Sequence, residues 1–166
     1  MIQRVKADAL HEWAKKVSGI QTIWFNQRAP RPLPPYVGLN IISGPRKVGD
    51  DNLRQDSPGV FFAAGMRYFT LSVNVYGDNA NEIASNLTDS LELPSIQELL
   101  RKSDIAIVTT SDVRILDQLL ETDVEGRAQF DFQFATSVNK VDDGVGYIDK
   151  VEITNEIDGS TKIVNQ

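Results

Sequence analysis

The stretch Met66–Leu91 constrains the fold more than any other part of this chain. Its first half alternates: Phe69, Leu71, Val73 and Val75 point one way, and Tyr68, Thr70, Ser72, Asn74 and Tyr76 the other. A period of two marks a strand with one buried face. Gly77 breaks the pattern; Asp78 or Asn79 can then cap a helix, and Asn79 with Glu82 three residues on has the spacing of a capping box. Ala80, Ile83, Ala84, Leu87 and Leu91 then recur at helical spacing and form one apolar stripe. A half-buried strand feeding an amphipathic helix is the nucleus of an α/β or α+β layer. Such a stretch builds a core and carries no chemistry of its own.

The rest of the chain adds pieces to that layer. Over residues 3–18, Leu10, Trp13, Ala14 and Val17 share a helical face, and Gly19 is a natural stop. Ile20–Asn26 reads as a short strand with Ile23 and Phe25 on one side and Trp24 on the other. Four prolines fall in the six positions 30–35, which forbids helix and central strand and predicts a stiff, PPII-like segment. Two readings of it stand: a rigid connector laying one strand beside the next, or a ligand for an aromatic groove. Tyr36–Ser43 is a further strand with Val37, Leu39 and Ile41 alternating.

Gly44–Gly65 is a long polar interruption ending in Val60-Phe61-Phe62-Ala63-Ala64. Loops longer than about 12–15 residues in compact domains are usually functional or disordered, and flanking strands make this one read as a hairpin arm. Phe61 and Phe62 are adjacent, so an extended chain sends them to opposite sides and leaves one exposed unless another chain covers it. Downstream, Pro94–Lys102 is a second short helix, Ile105–Thr109 a short strand, and Val113–Leu120 a short strand turning into a loop. Gly126–Val138 is the clearest strand: Ala128, Phe130, Phe132 and Phe134 line one face opposite Arg127, Gln129, Asp131 and Gln133. Asp142–Gly146 makes a turn, Tyr147–Thr154 a strand, Asp158-Gly159 a hairpin turn, and Thr161–Gln166 a terminal strand or arm.

At 166 residues the chain reads as one domain, 1–166, with an arm at 44–65 and a C-terminal extension at 156–166. It has no cysteine, which excludes disulfides, thiolate nucleophiles and zinc ribbons. The N-terminal residues lack the apolar core of a signal peptide, and the longest apolar run is far too short to span a bilayer, so a soluble product is expected. The net charge of −6 is uneven: residues 1–50 carry eight Lys/Arg and three acids, the remaining residues nine and twenty. The acidic part argues against broad duplex binding, which needs many Lys/Arg on phosphates. One basic and one acidic end suit stacking on copies or on polar partners; a merely solvated surface is the alternative.

Catalytic signatures are missing. The single histidine, His11, lies on the first helix one position off its apolar face, and no Gly-x-Ser-x-Gly elbow exists. Gly44–Gly49 has the glycine spacing of a phosphate loop, but Asp50 and Asp51 stand where Lys and Ser/Thr belong. Asp142-Asp143-Gly144 lacks the spaced acids of an EF-hand; a polar turn or a calcium site fits it. Asn86-Leu87-Thr88 is a glycosylation sequon placed mid-helix. Many carboxylates leave open a small acid–base hydrolase.

The pieces Ile23–Gln27, Pro32–Asn40, Arg67–Ala84 and Glu125–Phe134, in this order, resemble the neck and tail-terminator (tail completion) proteins of tailed bacteriophages over roughly residues 1–155. That resemblance implies an α+β fold: a mixed, mostly antiparallel sheet with two helices on one face, an N-terminal helix and a long hairpin arm. It implies no enzyme and no cofactor. The partners it implies are further copies in a hexameric ring, the tail tube protein, head-completion or connector proteins, and genomic DNA passing through the lumen without specific binding. It points to no membrane, and places the protein in the virion tail or neck after assembly in the host cytoplasm. Another head–tail connector adaptor or a baseplate component is the alternative within the virion. On this reading Arg46, Lys47, Phe61 and Phe62 of the arm contact a neighbouring subunit or the tube, and surplus carboxylates line the channel.

Overall fold

A computed structural model describes residues 2–26, 30–120, 123–144, 146, 150–154 and 161–165. These contain three helices, α1 (Arg4–Ser18), α2 (Ala80–Ser90) and α3 (Pro94–Lys102). The strands are β1 (Gln21–Trp24), β2 (Tyr36–Ser57), β3 (Val60–Tyr76), β4 (Ala106–Thr110), β5 (Arg114–Ile115), β6 (Gln118–Leu120), β7 (Asp123–Glu125), β8 (Arg127–Asp142), β9 (Lys150–Thr154) and β10 (Thr161–Asn165). No described helix is long and apolar enough to cross a membrane. The chain divides into two compact units, Met1–Asp50 with Met66–Ser137, and Asp51–Gly65 with Val138–Gln166.

The first unit is an α+β layer. Its sheet runs in the order β1-β2-β3-β8-β4, with β5 also on β8. β1 and β2 are parallel, Gln21 opposite Tyr36 and Trp24 opposite Leu39, so the proline-rich segment does act as a connector between two neighbouring strands. β4 and β5 run antiparallel to β8. Ser72 meets Gln129 while Asn74 meets Arg127, so β3 and β8 are antiparallel as well.

One face of this sheet carries the core. Val37 and Leu39 of β2, Phe69, Leu71, Val73 and Val75 of β3, and Ala128, Phe130, Phe132 and Phe134 of β8 are all buried, as their alternation requires. Leu10, Trp13 and Ala14 of α1, Ala84 and Leu87 of α2, and Ile96 and Leu100 of α3 belong to the same core. Trp13 meets Phe132 edge-on with centroids 5.3 Å apart, and Phe69 stacks on Phe134 at 5.5 Å. The buried indole N–H of Trp13 donates to Ser90 Oγ at 3.0 Å, and Ser90 donates in turn to the Leu87 carbonyl at 2.6 Å. A buried Trp needs such a partner.

Helix ends follow the sequence with one exception. Gly19 closes α1 in the left-handed region, φ 67°, its N–H on the Lys15 carbonyl. Pro94 opens α3, and Arg101 and Lys102 stand in its last turn. The capping box expected at Asn79 and Glu82 does not form. Asn79 has φ −103° and ψ 25°, not the extended conformation that aims a cap side chain, and it makes no side-chain cap bond. Backbone bonds start the helix instead, from Ala80 N–H to Gly77 O and from Ile83 N–H to Asn79 O. Gly77 itself has φ 121°, and a Cβ there would sit 2.9 Å from Pro35, which explains why the strand breaks at a glycine.

Three other boundaries move. The interruption expected over 44–65 is regular strand on both sides of the turn Pro58–Gly59. β8 runs on to Asp142 rather than stopping near Val138. Val113–Leu120 divides into β5 and β6, and β6 turns back on β7, Gln118 opposite Glu125. In the second unit, β9 and β10 form an antiparallel hairpin, Lys150 opposite Asn165 and Thr154 opposite Thr161. The expected turn at Asp158-Gly159 and the beginning of the expected strand at Tyr147 lie outside the described residues.

Candidate interaction surface

Opposite the core, the sheet of the first unit bears no helix among the described residues. Its side chains are those that alternation turns away from the apolar face: Tyr36 from β2, Ser72, Asn74 and Tyr76 from β3, and Arg127, Gln129 and Asp131 from β8. They pack on one another. Tyr36 and Tyr76 stack with centroids 4.7 Å apart, and Phe25 meets Tyr76 edge-on at 6.3 Å. Phe25 can lie there because residue 38 is glycine; a Cβ at Gly38 would fall 2.1 Å from the Phe25 ring.

Arginines fill the remaining space. The Arg31 guanidinium lies 4.7 Å from the Tyr76 centroid and 5.5 Å from that of Tyr36, and Arg127 lies 5.3 Å from Tyr76, within the range of cation–π attraction. Arg31 also donates to the Tyr36 hydroxyl and to Glu125 Oε1, both at 2.5 Å. The hydrogen bond to Glu125 raises the Arg31 pKa further above its ordinary value. Burial pushes the Tyr36 phenol up, and the hydrogen bond from Arg31 only partly opposes it. Arg127 donates to Asn74 Oδ1 at 2.9 Å and Gln129 to Ser72 Oγ at 2.9 Å. At the far side Arg114 pairs with Asp131 at 2.7 Å. The result is an aromatic–guanidinium mosaic in which most charges are matched. Phe25, Ile42 and Met66 add exposed apolar surface on the same first unit. Tyr36, Ser72, Asn74 and Tyr76 are themselves buried in this packing, so Arg31, Phe25, Ile42 and Met66 are what a partner would meet; exposed aromatic, Met and Arg side chains are enriched at protein-binding surfaces.

The four residues singled out in the sequence divide between the units. Arg46 and Lys47 are exposed on β2 in the first. Arg46 lies over the Tyr68 ring at 5.5 Å, and Lys47 pairs with Asp50 at 3.7 Å. Phe61 and Phe62 are in the second unit, and both are half-buried. Neither ring is exposed, whereas one of two adjacent rings was expected to be unless another chain covers it.

His11 is not a free surface residue. Its ring Nε2 is 2.9 Å from the Thr22 carbonyl and donates to it, tying α1 to β1. Asp142 accepts the Gly144 N–H at 3.1 Å, which fits a polar turn. Among the described residues no group of three or more His, Cys, Asp or Glu is placed to hold a metal ion.

One polar cluster escaped sequence reading. Lys6, in the first turn of α1, is buried. Its Nζ donates to Asp104 Oδ2 at 2.8 Å, to Thr136 Oγ1, and to the Ser137 carbonyl at 3.3 Å. Asp104 Oδ2 also accepts from the Ser137 N–H and hydroxyl, at 2.9 and 2.7 Å. Asp104 holds φ 57° to do so. Burial pushes its carboxyl up, but the hydrogen bonds from Lys6 and Ser137 outweigh it and leave the pKa below the usual carboxylate value. A lysine on a helical face next to apolar positions gives no signal that it turns inward.

A family model described as phage neck terminator protein matches residues 7–160. No curated protein matches the chain.

Proposed function

The chain belongs to the phage neck terminator family, a structural family of the virion's head–tail junction, and from that membership we propose that it forms a ring on the head-proximal end of the tail tube. The ring ends tube polymerisation and presents a docking face to head-completion or connector proteins. The family match over almost the whole chain carries this reading.

Physical features support it. A ring of identical subunits needs a heterologous contact that closes by rotation. Arg46 and Lys47, exposed in a basic N-terminal region, and the acidic remainder of the chain supply opposite signs for such a contact. We place Phe61 and Phe62 in the contact with a neighbouring subunit or the tube. The channel is lined by surplus carboxylates; Asp78, Glu82, Asp89 and Glu92, all exposed around α2, are the candidates. A negative wall makes no phosphate contacts, so DNA passes without sticking. The protein does this by contact alone, without cofactor or chemistry.

Complementation tests the reading. In a lysate that lacks this protein, tails examined by negative stain should be of uncontrolled length. Adding the purified chain should restore a uniform length and a six-fold ring at one end. Uniform tails without the chain, or a Lys/Arg-lined pore in the assembled ring, would contradict it.

A further inference from the structure

The edges of the first unit's sheet are unequal. At one end α1 packs on β1, and His11 bonds the Thr22 carbonyl. β2 pairs with β1 only over Tyr36–Leu39, and its continuation carries Pro45, Arg46, Lys47 and Asp50. Proline and charge keep an edge from pairing with another chain. At the other end, β4 has no strand on its outer side among the described residues. It reads Ala-Ile-Val-Thr-Thr, without charge or proline, and all but Ile107 are exposed. Its shortness and the register shift between Ile107 and Thr109 are its only defences.

Charge of opposite sign stands at the two ends of this strand. Exposed Lys102, the last residue of α3, precedes it, and exposed Asp112 follows it. The charged neighbours of both are already matched: Arg101 by Glu98 at 2.8 Å, Asp104 by Lys6 at 2.8 Å and Arg114 by Asp131 at 2.7 Å. Lys102 and Asp112 have no ion-pair partner among the described residues. A charge pattern of this kind is self-complementary when the strand meets its own copy head to tail. Antiparallel pairing about a two-fold axis through Val108 sets Val108 opposite Val108 and Ala106 opposite Thr110. It turns the basic entry of each strand toward the acidic exit of the other, so that Lys102 and Asp112 approach each other twice. Parallel pairing would bring like charges together.

We infer that the free chain pairs with a second copy of itself, β4 against β4, antiparallel across a two-fold axis. The sheets of the two copies join by main-chain hydrogen bonds, Val108 packs on its counterpart, and the Lys102–Asp112 contacts fix the direction. The other edges being covered or defended, β4 is the edge that each copy has to offer. Five residues a side is a small contact beside the ~1,200–2,000 Å² of stable complexes, so the dimer forms as concentration rises. A two-fold contact closes on itself and does not propagate around a ring. The pairing therefore belongs to the unassembled chain and stands apart from the proposed neck role.

Sedimentation of the full chain over a range of concentrations tests this. A monomer–dimer equilibrium is expected, and Val108→Lys should abolish it. Lys102→Glu and Asp112→Lys should each weaken dimerisation about fivefold, and the two together should restore it. A monomer at every concentration, a dimer indifferent to Val108→Lys, or a double variant no better than the single ones overturns the inference. So does a larger ring that Val108→Lys dissolves, because a two-fold contact cannot build one. The chain has no cysteine, so single-cysteine variants supply a second measurement that needs no lysine in the strand. Mild oxidation should link Val108→Cys into dimers but leave Leu33→Cys, on the exposed proline-rich connector, unlinked. Equal linking of both, or of neither, also overturns the pairing. Restoration of tail length is read separately: its failure counts against the neck role and leaves the dimer standing.

Discussion

The two faces of the first unit's sheet are built from the same strands by opposite rules. On one, Phe130, Phe132 and Phe134 lie under three helices with almost no polar atom. On the other, Tyr36, Tyr76, Arg31 and Arg127 cover themselves by stacking and hydrogen bonding, without a helix. The first face spends its side chains on stability. The second buries Tyr36 and Tyr76 against their own guanidinium neighbours and leaves Arg31 and Phe25 exposed, already held by that packing, where a partner can meet them at little further ordering cost. One strand period thus produces a foundation and a presented surface.

The largest effect should come from the foundation. Phe132→Ala removes the partner of both Trp13 and Phe134, and urea unfolding should show a loss of about 3–5 kcal/mol. A loss as small as that of an open-face substitution would break the contrast.

Next is Lys6, which terminates the core face at Thr136. Lys6→Met removes its hydrogen bonds to Asp104, Thr136 and Ser137 and should cost on the order of 1.5–3 kcal/mol. The variant also tests a pH dependence. Asp104 has a folded pKa below its ordinary value, so it stabilises the fold above the unfolded carboxylate pKa of about 3.9. That contribution is lost as pH falls through the lower folded value. Unfolding between pH 5 and the acid limit should be less steep in Lys6→Met; an identical slope would remove Lys6 from the account of Asp104.

Open-face changes should be smaller. Arg31→Ala and Glu125→Ala break a pair whose arginine is half-exposed, and a double-mutant cycle should give a coupling of about 1 kcal/mol or less. A coupling well above that would mean the open face is a second stabilising layer. Smallest of all, Arg46→Ala with Lys47→Ala should change unfolding by no more than about 0.5 kcal/mol, while reducing ring formation. A large stability loss would assign them to the fold rather than to assembly.

Legibility in the sequence followed the same division. Period-two runs at 69–75 and 128–134 and the helical stripes of α1 and α2 were readable because apolar burial repeats at fixed spacing. The open face was readable only as the other half of the alternation. Nothing in the spacing of Arg31 and Glu125, or of Phe25 and Gly38, announces that they meet, because the contacts arise from which strands become neighbours. The glycine- and charge-rich run after Ser43 hid the continuation of β2, since its polar residues look like loop when neither face is buried. Lys6 was missed for the opposite reason: its ammonium finds acceptors at Asp104 and Ser137, far along the chain. Arg46, Lys47, Phe61 and Phe62, proposed above as contact residues, were legible only as basic and aromatic side chains in a hairpin.

The position of this chain in the assembled particle tests the central claim most directly. A map of the intact virion, or antibody labelling of it, should place the chain as a ring between the tail tube and the head connector. A location at the distal end of the tail, or absence from the particle altogether, would contradict the account.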